Sequence, residues 1–320
     1  MKILRTEQGP RPLARTESSA SSHAPVTPQA SDETPRTFSL VPQPSFSLDE
    51  VSSGLPTQPK SDRLPASNRA LFSAVENASA EEIRALLQSG DADPNARDQD
   101  GLTPLHFAAF YGNEGATLAL IEDPRTDCRA KSNLGATPLE GAAMGGYTET
   151  LRLLLEKGGV SAIGVSGERR AIHVAAARGH VKACEILLQH GEHINALGPN
   201  HMKPIHYAAA RGHVDVIRFL LDKGAFATAL NRHQKTPLHY AVEGKHPEAI
   251  KVLMAHGARP DKATDTLPAP IECTQDDALR GIMTDPELMA LSLLYQKQWS
   301  THDPRRSEII RQLQALALGG

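Results

Sequence analysis

Fourteen histidines and three cysteines are the side chains of this 320-residue sequence best suited to metal ligation, proton transfer or nucleophilic attack. Their arrangement argues against all three. A zinc hydrolase needs two histidines one helical turn apart around a glutamate, and no H-E-x-x-H run occurs. C-x-x-C pairs, a P-loop and a G-x-S-x-G nucleophile turn are also missing. No metal, cofactor or catalytic residue is therefore expected. Cys128, Cys184 and Cys273 form no close pair and are odd in number, which suits a reducing compartment and reads as three small core residues. The histidines follow another rule. His106, His173, His206 and His239 are separated by 67, 33 and 33 residues, and His180, His213 and His246 by 33 and 33. Groups at such intervals are stacked along an array, not gathered round a point.

The elements that must carry them repeat at the same interval. Thr103-Pro104-Leu105-His106 is followed by Thr137-Pro138-Leu139-Glu140, Arg170-Ala171-Ile172-His173, Lys203-Pro204-Ile205-His206 and Thr236-Pro237-Leu238-His239, at steps of 34, 33, 33 and 33. Degraded copies stand one period outside, at Arg69-Ala70-Leu71-Phe72 and Ala269-Pro270-Ile271-Glu272, giving seven units. Proline suits the first helical position because its missing N–H is not needed there, and the preceding threonine can cap the turn. Ala108-Ala109, Ala142-Ala143, Ala175-Ala176, Ala208-Ala209 and Ala241-Val242 predict close packing of the first helices of neighbouring units. Gly112, Gly146, Gly179 and Gly212 then end that helix in a left-handed position, where Lys245 stands in the sixth unit. Apolar runs such as Ile186-Leu187-Leu188 and Phe219-Leu220-Leu221 mark a second helix.

Composition agrees. Aromatic residues are only 4% of the chain, which disfavours a large single-core enzyme and favours Ala, Leu and Ile packed between small helices. A net charge of −3 excludes a globally basic nucleic-acid binder. No apolar run approaches the ~20 residues of a membrane-crossing helix, and the start, MKILRTEQGPRP, has no signal-peptide core.

A turn and two antiparallel helices in ~33 residues resembles the ankyrin repeat. The resemblance covers about 67–283 and predicts an all-α solenoid. It implies that the first histidine set braces the turn by hydrogen bonding. It also implies a concave recognition face built from the turn tips and the exposed side of the first helices. Carried over position by position, that face would hold Phe110 and Tyr111 in the second unit. Arg169, Arg178, Lys203, Arg211, Arg232 and Lys235 would follow in the fourth to sixth, with His201 and His233 beside them and Glu168 and Glu243 as the acids nearby. Ile163 and Val165 would form an apolar tip. A basic stripe on a chain of net −3 points to a protein partner with an acidic surface.

The ends differ. Residues 1–66 hold 10 of the 23 prolines, and Pro, Ser and Thr fill 27 of those 66 positions, so a disordered arm is expected. Inside it, Phe38-Ser39-Leu40 and Phe46-Ser47-Leu48 form a repeated anchor that could dock on a partner. Residues 284–320 read as two helices, one opening at Thr284-Asp285-Pro286 and one at Thr301-His302-Asp303-Pro304, that pack over the last unit.

A non-catalytic, monomeric interaction module follows, without membrane or nucleic-acid partner. An enzyme would need its site in the tails, with His302 and Asp303 as candidates. The Ser/Thr-rich arm before the repeats also resembles bacterial type III secreted effectors, which implies secretion into a host cell. A cytosolic scaffold whose arm is phosphorylated at Thr27-Pro28 and Thr34-Pro35 is the alternative.

Overall fold

The computed structural model describes residues 59–164, 168–264 and 266–298, with side chains to Tyr295. Among them there is no strand; fourteen α-helices alternate with short turns. Unit 1 contributes α1 (Ala66–Glu76) and α2 (Ala80–Gln88), unit 2 α3 (Pro104–Phe110) and α4 (Glu114–Ile121), and unit 3 α5 (Pro138–Gly145) and α6 (Thr148–Arg152). Unit 4 follows with α7 (Ala171–Arg178) and α8 (Val181–Gln189), unit 5 with α9 (Pro204–Ala210) and α10 (Val214–Asp222), and unit 6 with α11 (Pro237–Glu243) and α12 (Pro247–Ala255). In unit 7 a 3-10 turn, Pro270–Cys273, replaces the first helix before α13 (Asp277–Met283), and α14 (Pro286–Gln298) ends the described chain.

Two layers result. The first helices α1, α3, α5, α7, α9 and α11 pack in series, and the second helices form a parallel row outside them. The small residues explain the inner row: Ala108, Ala109, Ala142, Ala143, Ala175 and Ala176 are wholly buried between helices. A larger side chain there would push neighbouring backbones apart and cost roughly 1–3 kcal/mol. The outer row buries Leu120, Leu154, Leu187, Leu220 and Leu253, one per unit. The core is thus a continuous sheet of aliphatic contacts between units.

Three features depart from the repeat. The second helix of unit 3 continues past Arg152 as a π-helical turn, Leu153–Lys157, in which Gly158 N donates to Leu153 O. Only glycine fits there, since a Cβ on Gly158 would stand 2.7 Å from Leu154 O. Lys245 takes the left-handed conformation of its glycine counterparts, with φ +56, and so does Ala78 in unit 1, with φ +59. Of the three cysteines only Cys184 is a core residue; Cys128 is half-buried and Cys273 exposed, correcting the reading of all three as core. Cys273 belongs to the short 3-10 turn of the terminal unit, where the core thins.

At the C-terminal end, α14 packs on α12 and α13 through Leu288 and Leu291, and Ser292 Oγ donates to Ala258 O at 2.9 Å. The helix expected from Thr301 and the arm expected over 1–66, except its last few residues, lie outside the described residues.

Candidate partner-binding face

Four inner helices, α3, α7, α9 and α11, are held by one arrangement around a histidine. In unit 2, the Thr103 backbone N–H donates to His106 Nδ1 at 3.1 Å while His106 Nε2 meets Ala136 O of the next unit at 3.0 Å. The same pair of bonds recurs as Arg170 N to His173 and His173 to Ala196 O, as Lys203 N to His206 and His206 to Ala229 O, and as Thr236 N to His239 and His239 to Pro268 O. An Nδ1 that accepts from an N–H carries no proton, so the ring is neutral with its hydrogen on Nε2, which donates to the carbonyl. Burial reinforces this: desolvation lowers His106, His173 and His206 to about 4. In unit 3, Glu140 takes over the capping bond, accepting from Thr137 N at 3.0 Å, and burial raises its carboxyl above the usual range. These are structural braces, and among the described residues no group of three His, Cys, Asp or Glu is placed to hold a metal.

The second histidine set joins the outer helices back to the previous unit. His180 Nε2 donates to Met144 O at 3.0 Å, His213 to Ala177 O at 2.9 Å and His246 to Ala210 O at 3.1 Å. Asn113 does the same in unit 2, through Nδ2 to Val75 O at 3.1 Å. Tyr147 holds the position in unit 3, 39% exposed, with its ring against Gly145 and Gly112.

Turn tips and inner helices together make the exposed inner face. Four tips close in one register: Asp98 N to Leu102 O, Ser132 N to Ala136 O, Gly198 N to Met202 O and Asn231 N to Lys235 O. Two pairs of neighbouring tips also bond to each other, Asn133 N to Asp100 O and Arg232 N to Asn200 O. Leu134 at the tip of unit 3 is 78% exposed. Phe110 and Tyr111, half-buried, meet in a tilted pair at 5.3 Å between ring centroids, with Tyr111 also against Phe107.

The cations differ in availability. Arg178 and Arg211 occupy one repeat position, the end of α7 and the residue after α9. Arg178 Nη2 donates to Met144 Sδ at 3.4 Å. Lys203 is the N-cap residue of α9; its burial lowers its pKa and its Nζ reaches Leu230 O at 3.5 Å. Arg232 is exposed at a tip. Arg169 lies 3.9 Å from Glu140 Oε1. Lys235 is neutralised by Glu243 and lies 5.4 Å over the Tyr240 ring, and Glu168 is held by Lys131 at 2.9 Å. The cations of this face thus range from Arg169 and Lys235, each within 4 Å of a carboxylate, to Arg232, exposed at its tip. Ile163 is 57% exposed; Val165 lies outside the described residues.

One charged feature was not legible in the repeat. Arg170, standing where threonine is usual, is buried and pairs with the wholly buried Glu192 at 2.7 Å. The departure from Thr at the N-cap position is the only signal the sequence offers, and it names no partner.

Known proteins match the chain across these repeats. A family described as ankyrin repeats in three copies matches residues 119–197 and 172–264, and one described as ankyrin repeats in many copies matches 71–121. The chain is 40% identical over 95 residues to the human ankyrin repeat and KH domain-containing protein 1, covering 29% of this chain and 4% of that protein. It is 35% identical over 144 residues to human neurogenic locus notch homolog protein 2, covering 45% of this chain and 6% of that one. Both relatives are thus far longer than the region matched. The crystal structure of the human ASB11 ankyrin repeat domain superposes with a TM-score of 0.59 at 24% identity, over 73% of this chain and 98% of that one, which is a likeness of fold.

Proposed function

The chain belongs to the ankyrin-repeat family, whose repeat domains are protein–protein interaction modules, and from that premise we propose that it is a non-catalytic recognition protein gripping an acidic partner on the concave face of units 2–6. The observation that carries this is the pairing of Arg178 with Arg211 at one repeat position, flanked by Lys203 and Arg232, on a chain of net −3. Localised positive charge on an acidic molecule steers an acidic partner and favours encounter in one orientation. Phe110, Tyr111 and Leu134 supply the apolar contact that charge alone lacks, since aromatic groups dominate the energy of most interfaces. The buried histidines His106, His173, His206 and His239 have structural duties, which supports a non-catalytic reading.

The test is affinity capture with the full chain against an Arg178→Glu, Arg211→Glu variant of equal thermal stability. Loss of the captured proteins from the variant supports the reading; recovery of the same set overturns it. The composition of 1–66 supports a second proposal, delivery into a host cell by a type III system. It is tested by whether that segment alone exports a fused reporter from a type III-competent bacterium.

A further inference from the structure

One row of positions on the inner face changes chemistry along the solenoid. The residue preceding the left-handed position that ends each inner helix is Tyr111 in unit 2, Gly145 in unit 3, Arg178 in unit 4, Arg211 in unit 5 and Gly244 in unit 6. Where it is glycine, a ring from the following helix takes the space: a Cβ on Gly145 would collide with Tyr147, and one on Gly244 with His246. The row therefore presents tyrosine, tyrosine, arginine, arginine and histidine. Its first two positions are aromatic and the next two cationic. Arg178 donating to Met144 Sδ ties its side chain towards unit 3, so the two halves are continuous.

Helix packing sets the pitch of this row. α7 and α9 pack side by side, and packed helices lie about 8–10 Å apart, which spaces the backbone positions of Arg178 and Arg211 at roughly that interval. A partner gripping both must show anions on one face at the same interval. An extended segment cannot: its same-face residues recur at about 6.7 Å or 13.4 Å. On an α-helix, neighbours three or four apart are only ~5–6 Å from each other, whereas residues seven apart share a face ~10.5 Å apart.

With the concave face taken as the recognition surface, as proposed above, the geometry points to an amphipathic acidic α-helix lying along the solenoid as its ligand. Two acidic residues seven positions apart meet Arg178 and Arg211. Apolar residues one and two further heptads along meet Tyr147 and Tyr111. The helix runs apolar to acidic from unit 2 to unit 5, and Phe110 and Leu134 extend its apolar contact.

The experiment uses the full chain and two fluorescein-labelled, hydrocarbon-stapled helical peptides of identical composition. One carries two leucines and two glutamates in a single heptad series; the other has its glutamates moved to four positions apart. Fluorescence anisotropy at low salt is expected to show the heptad peptide binding about tenfold tighter, the advantage shrinking to twofold or less with Arg178→Gln, Arg211→Gln. A Tyr111→Ala variant is expected to weaken the heptad peptide and leave the salt dependence of its binding unchanged. Equal binding of the two peptides, no binding by either, or an advantage that survives the double arginine variant overturns the helical ligand. If captured proteins are lost from the charge-reversed variant while the peptides show no spacing preference, only the helical ligand falls; if capture survives charge reversal, the basic face falls with it.

Discussion

Acid should dismantle this solenoid through its histidines. His106, His173 and His206 are buried, each accepting an N–H at Nδ1 and donating from Nε2 to a carbonyl of the next unit. A proton added to Nδ1 would turn that acceptor into a donor facing another donor. Burial lowers each from 6.5 to about 4. A histidine whose folded pKa is depressed binds protons preferentially in the unfolded chain, so its stabilisation is complete above 6.5 and falls away as pH drops towards 4. At pH 5 the loss is about 2 kcal/mol per histidine, or roughly 6 kcal/mol for three, with a local slope of about 3–4 kcal/mol per pH unit. Glu140 opposes this weakly, since its raised pKa favours folding as the carboxyl protonates. Urea denaturation followed by circular dichroism at pH 7.5, 6.5, 5.5 and 5.0 measures the slope directly. In parallel, His206→Gln keeps an acceptor for the Lys203 N–H, cannot titrate, and should remove about a third of the slope. A wild-type slope below about 1 kcal/mol per pH unit, or a slope that His206→Gln leaves untouched, would refute the reasoning.

Other substitutions probe the remaining features. Lys245→Gly should raise stability by about 0.5–1 kcal/mol in thermal or urea melts, because φ +56 is strained for lysine and free for glycine. Glu192→Ala should cost roughly 3–5 kcal/mol by leaving the Arg170 guanidinium buried without its carboxylate, whereas the double change Arg170→Met, Glu192→Met should restore most of it. Ala175→Leu should destabilise by about 1–3 kcal/mol, read as a lower urea midpoint, since that residue is wholly buried between inner helices. Removal of 1–58 should leave the melt of the repeats unchanged; loss of a cooperative transition would contradict an arm that contributes nothing to the core.

What was legible in the amino-acid order was whatever every unit shares. Proline before the inner helix, the paired alanines, the left-handed glycine and the two histidine positions each answer a contact with an identical neighbour, so repetition displays them. The helical repeat and the stacked placing of the histidines follow from that alone; the bracing role of the first histidine set came from the resemblance. Tertiary structure decided what happens once. Arg170 finds Glu192 across 22 residues, Lys235 is neutralised by Glu243, Tyr147 lies over Gly145, and two of three cysteines leave the core. Which cations of the inner face lie against a carboxylate depends on these single events. The physical reason is that a periodic signal averages over neighbours, while charge and exposure at one position depend on the particular side chain that the fold brings against it.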